Sequence, residues 1–138
     1  MADRVKKISY YHIKVPNRAG YGERILDQLH QNGVNLLVYS GFPIGGGKAQ
    51  LDFVPESMVA FRRVARKNGW RLSPIKKGFL VTGGDEVGAA HRHIRKLANA
   101  KINVTAADAV AAGKGRWGMI LWVKPAAYAR AVKVLGAR

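Results

Sequence analysis

The chain has 138 residues, 48% of them hydrophobic, no cysteine, and a formal net charge of +16 from 24 Lys and Arg against 8 Asp and Glu. The length suits one domain or two very small ones, the apolar fraction belongs to a globular chain, and the lack of cysteine excludes disulfides, thiolate nucleophiles and thiolate metal sites. The first residues lack the apolar core of a secretory signal, and no apolar run nears the roughly 20 residues of a membrane helix, so the expected setting is cytoplasmic with no membrane partner.

Ile8 to Val15 alternates, with Tyr11, Ile13 and Val15 on one face and Tyr10, His12 and Lys14 on the other, which predicts a half-buried strand. A helix follows Pro16-Asn17, with Tyr21, Ile25, Leu26 and Leu29 on one stripe and Gly33 as its stop. Val34 to Phe42 reads as a strand, Pro43 and Gly45-Gly46-Gly47 as a turn, and Lys48 to Val54 as a strand with Ala49, Leu51 and Phe53 inward. Met58, Phe61 and Ala65 mark a second helix closed by Asn68-Gly69, and Trp70 to Ile75 is expected as a last strand, kept to an edge by Pro74.

The same order then recurs. A shift of 68 positions carries Tyr11 onto Phe79, Ile13 onto Val81, Gly20 onto Gly88, Leu29 onto Leu97 and Asn35 onto Asn103. The expected elements are a strand near Phe79–Thr82, a helix near Val87–Ala100, strands near Asn103–Ala111 and Arg116–Lys124, and a helix from Ala126 to Leu135. The domain boundaries follow as 1–76 and 77–138. The fold class is α+β: two tandem ferredoxin-like βαββαβ units, the second lacking its last strand because the chain ends after the helix. A neighbouring chain or the N-terminal segment is expected to cover that edge. Tyr10, His12, Leu80, Ile120 and Trp122 are expected on bare sheet faces, which suggests a homo-oligomer using those faces or strand edges.

Two loops carry a resemblance. Asn17-Arg18-Ala19-Gly20-Tyr21 follows the first strand, and Asp85-Glu86-Val87-Gly88 stands at the matching place in the second half. Asn35 and Asn103 open the next strand, within Gly-Val-Asn-Leu and Lys-Ile-Asn-Val. In these positions the chain resembles tandem ACT domains, a family of small regulatory modules that bind metabolites. It departs from the usual pattern where Ala19 and Val87 replace proline, where Asn17 replaces aspartate, and where the last strand is absent. The resemblance implies a non-catalytic regulatory protein without a cofactor. It implies an amino acid or similar effector at Asn17, Arg18, Ala19, Gly20, Tyr21, Asn35, Asp85, Glu86, Val87, Gly88 and Asn103, and a partner under its control. Glycine at a helix start lets a carboxylate approach bare N–H donors, and asparagine can both donate and accept. The plainer alternative is that Asn17 and Asp85 cap their helices and the glycines only permit close packing.

Other chemistry finds no support in the sequence. His91 and His93 are two apart on a helix and point to different faces, so they do not form a metal pair. Gly45-Gly46-Gly47-Lys48 lacks the glycine and the Ser/Thr of a phosphate loop and reads as a hairpin turn. No Ser/His/Asp grouping is visible, so no catalytic residue is expected. The rival reading is a nucleic-acid module, with a basic surface and aromatics such as Tyr10 and Trp122 on an open sheet face. Its glycine-helix loops would then have no role.

Overall fold

A chain this short can bury its alternating strands only by laying amphipathic helices over them, and it does so twice. The computed structural model describes residues 3–138. Among them are six strands and four helices: β1 (Arg4–Pro16), α1 (Tyr21–Gln31), β2 (Leu36–Gly45), β3 (Lys48–Pro55), α2 (Met58–Asn68), β4 (Lys76–Gly84), α3 (Ala89–Asn99), β5 (Val104–Gly113), β6 (Arg116–Val123) and α4 (Pro125–Leu135). They form two compact units, Ser9–Lys76 and residues 3–8 with Lys77–Arg138.

In the Ser9–Lys76 unit the strand order is β2-β3-β1. β1 and β3 are antiparallel with Tyr11 opposite Phe53, and β2 and β3 with Tyr39 opposite Phe53. The inward side chains are those the alternation selects: Tyr11, Ile13, Val15, Leu51 and Phe53, closed over by Ile25 and Leu29 of α1 and by Phe61 and Val64 of α2. Ser57 caps α2, its hydroxyl accepting from the Ala60 N–H at 3.1 Å, and Gly69 ends that helix at φ 67°. The strand expected at Trp70–Ile75 is not formed. The Ser73 N–H donates to the His12 carbonyl at 3.0 Å, but the His12 N–H turns to the Ser73 hydroxyl at 2.9 Å. A side chain thus stands in for the main-chain acceptor, and Pro74 has no N–H with which to continue a ladder.

In the other unit the order is β1-β4-β6-β5. The core gathers Phe79, Val81, Leu97, Trp117, Met119, Leu121, Ala131 and Leu135, with Val5 among them. β1 starts at Arg4, four residues earlier than the alternation suggested, and lies beside β4 in the sheet. The Arg138 N–H donates to the Val5 carbonyl at 3.1 Å, pinning the chain end to the chain start. α3 begins at Ala89 and not at Val87, which stands fully exposed before it.

The expectation of bare sheet faces is corrected. Tyr10 and Trp122 are each 7% exposed and Ile120 is buried, while His12 and Leu80 are half-buried. Apolar area of that size is removed from water within the single chain, as the hydrophobic effect favours, and is not left for a partner.

Candidate functional site

Each unit ties the loop after its first strand to the tip of its hairpin. The Asn17 N–H donates to the Gly47 carbonyl, and the Asp85 N–H to the Gly115 carbonyl, both at 2.8 Å. Each loop then enters a helix through a left-handed glycine, Gly20 at φ 98° and Gly88 at φ 80°, where only glycine sits without strain. Neither helix has a side-chain cap, so Asn17 and Asp85 do not cap α1 and α3. The first-turn N–H donors are left without side-chain acceptors.

The two loops differ in charge. Around Gly20 stand Arg18 and Arg24, and the Arg24 guanidinium lies over the Tyr21 ring at 5.0 Å. Around Gly88 stand Asp85 and Glu86, and Glu86 is paired with Arg92. The first loop therefore suits a carboxylate better than the second. Gly22 and Tyr39 belong to the same place and escaped the sequence reading. A Cβ on Gly22 would come within 3.0 Å of the Tyr39 hydroxyl, so the bare backbone of the first helical turn is what lets Tyr39 lie against it. The paired glycines flanking Tyr21 were the available signal.

Asn35 is engaged elsewhere: its Nδ2 donates to the Glu56 carboxylate at 3.1 Å, and its carbonyl accepts from the Glu56 N–H at 2.9 Å. Asn103 is exposed, as are Arg18, Ala19, Glu86 and Val87, while Tyr21 is half-buried. A separate cleft of about 290 Å³ opens in the unit containing α3, lined by Asp3, Arg92, His93, Lys96 and Leu135, none of them a residue of the two loops. Asp3 is the centre of its chemistry. Its carboxylate accepts from His93 Nε2 at 2.6 Å and from Arg92 at 3.0 Å. Burial raises its pKa, but the hydrogen bonds from His93 and Arg92 outweigh that and hold it below the usual 3.8.

A second polar group lies on the sheet of the Ser9–Lys76 unit, where His12 faces Asp52 across β1 and β3. Burial raises the Asp52 pKa, only partly offset by the Gln50 hydrogen bond and by Lys76. Burial, with Lys76 and Lys14 adding repulsion, lowers that of His12. Among the described residues no group of three His, Cys, Asp or Glu side chains is placed to hold a metal ion.

This arrangement of strands and helices is the fold of regulatory domains of the ACT type, and the resemblance carried by the two loops holds at that level. The regulatory subunit of aspartate kinase from Thermus thermophilus, in its ligand-free form, is similar with a TM-score of 0.59 at 14% identity, over 98% of this chain and 93% of that one. Aspartokinase alpha and beta subunits are similar at 0.62 and 15%, over 98% and 95%. Protein BT0572 from Bacteroides thetaiotaomicron is similar at 0.81 and 11%, over 96% and 88%. At such identities the likeness is one of fold. No family model matches the sequence, and no curated protein does. No helix among the described residues is long and apolar enough to cross a membrane.

Proposed function

We propose that the chain is a non-catalytic regulatory protein of tandem ACT-like units that binds an amino acid or a similar small metabolite and through it controls a partner. The observation that supports this best is the uncapped start of α1 behind Gly20, with Arg18 and Arg24 beside it. Its N–H donors and positive dipole end suit the ligand's carboxylate, and Tyr21 and Tyr39 offer apolar surface to the rest. The matching loop at Asp85, Glu86, Val87 and Gly88 is the second position, with Asn35 and Asn103 at the strand openings. A thermal-shift screen of the amino acids tests the proposal. A ligand at about 100 times its Kd stabilises by roughly 2.7 kcal/mol, a rise of several degrees. Arg18→Ala with Arg24→Ala should abolish that shift without the backbone strain that any side chain at Gly20 would bring. No shift with any amino acid at millimolar concentration would sink the reading.

Assembly belongs to the same proposal. β2 is the outer strand of its sheet, and from Val34 to Gly47 a strongly basic chain has no charged residue at all. Leu37, Tyr39, Phe42 and Ile44 are exposed there. An unprotected apolar edge of this kind is a template for pairing, here with a second copy. Sedimentation at tens of micromolar should give a dimer, and Phe42→Lys with Ile44→Lys should give a monomer. A monomeric natural chain would remove this part of the proposal.

A further inference from the structure

The excess positive charge is not spread evenly over the helices. α2, α3 and α4 contain no Asp or Glu, whereas α1 carries Glu23 and Asp27. In the Ser9–Lys76 unit the basic helix α2 is therefore accompanied by an acidic one. In the other unit both helices are basic: Arg92, Arg95 and Lys96 on α3, Arg130 and Lys133 on α4. α3 and α4 pack on one core through Leu97, Ala131 and Leu135, and Arg130 reaches the Ala100 carbonyl at 2.6 Å. Their outer residues thus form one continuous surface. Two acids approach it, Asp3 and Glu86, and both are held by Arg92. After Asp108 the sequence has no acid at all.

An ordinary solvated helix intersperses Glu with Lys at spacings of three and four. Here those spacings bring like charges together: Arg130 with Lys133, and Arg95 and Lys96 with Arg92, whose own charge Asp3 and Glu86 already offset. The Arg130–Lys133 pair destabilises its helix, and Arg95 and Lys96 have no acid at those spacings, so the surface keeps a positive excess that a polyanion would relieve. On α3 and α4 the one Phe, Tyr or Trp is Tyr128, which is half-buried and stacks on Phe79 at 4.8 Å, so this surface offers no such ring to a base. What remains recognises phosphates and not bases.

We propose that the outer surface of α3 and α4 binds the phosphate backbone of a nucleic acid duplex without regard to sequence. This is independent of the effector loop at Gly20. The test is fluorescence anisotropy of the natural protein with labelled duplexes of two unrelated sequences, starting at about 50 mM salt. Both should bind equally, and log K should fall against log salt with a slope of about −3, the value for three to four neutralised phosphates. Arg95→Glu, Lys96→Glu and Lys133→Glu together should weaken binding more than about tenfold and leave the circular dichroism unchanged. If that variant does not fold, the Gln versions should still weaken binding measurably. The control is Lys6→Glu, Lys7→Glu and Lys14→Glu, the same charge change on exposed positions of β1, which should matter much less. The proposal is overturned by absence of duplex binding, by an equal loss in the β1 control, or by equally tight binding to phosphatidylserine vesicles that the same three changes abolish.

Discussion

Replacing Phe61 with alanine should cost the Ser9–Lys76 unit about 3–5 kcal/mol, the range for truncating a fully buried aromatic. The ring is 0% exposed. It stacks on Tyr11 at 5.8 Å and meets Phe53 at 5.5 Å and Trp70 at 6.2 Å. It therefore joins α2 to both central strands and to the segment after the helix. Its removal takes away the transfer energy, leaves a cavity that three rigid rings and strands cannot close, and deletes three aromatic contacts of roughly 0.5–1.5 kcal/mol each. Small domains hold only about 5–15 kcal/mol in total, so the variant should be near its threshold. Urea unfolding measures it, with Phe61→Leu as a control that should cost under about 1.5 kcal/mol if the site repacks. A loss under about 1 kcal/mol for the alanine would show that the ring is not the keystone its contacts make it.

Asp3→Ala should cost about 2–4 kcal/mol in the unit that contains α3 and α4, because it strips a buried histidine of its acceptor. The Asp3 and His93 side chains are 7% and 5% exposed. The carboxylate fits because Gly83 has no side chain: a Cβ there would overlap it directly. Gly83→Ala should therefore expel Asp3 and cost about as much as Asp3→Ala. The double variant should cost little more than either alone, since the methyl then occupies the space the carboxylate has left. Additive losses would separate the two residues and refute the arrangement. The pH dependence has a definite sign. The folded pKa of Asp3 lies below its ordinary 3.8, so its stabilising share is complete well above 3.8 and is lost as pH falls through and below that value. Asp3→Ala should flatten that part of the acid limb.

Much of this was legible along the chain. The alternation of Tyr11, Ile13 and Val15 gives the inward face of β1, and the stripe of Tyr21, Ile25, Leu26 and Leu29 gives that of α1. Both are local periodicities, set by the geometry of one element against one core. Gly20 and Gly88 were recognisable as helix starts because a left-handed turn before a helix selects glycine whatever surrounds it.

What the tertiary structure decided is what depends on residues far apart. Arg4–Lys7 has one inward apolar residue, Val5, too little to declare a strand; its place in the sheet is set by β4, some 70 residues later. The shift of 68 sets Gly83 opposite Val15, and the reason for a glycine there is the Asp3 carboxylate eighty positions away. Asn35 looked free to meet a ligand until the fold brought Glu56 to it. Tyr10 and Trp122 alternate outward from their own cores, and local pattern says nothing about whether a second surface covers them. Periodicity reports which face of an element is apolar, whereas burial and pairing are sums over the whole chain, which only the packed structure evaluates.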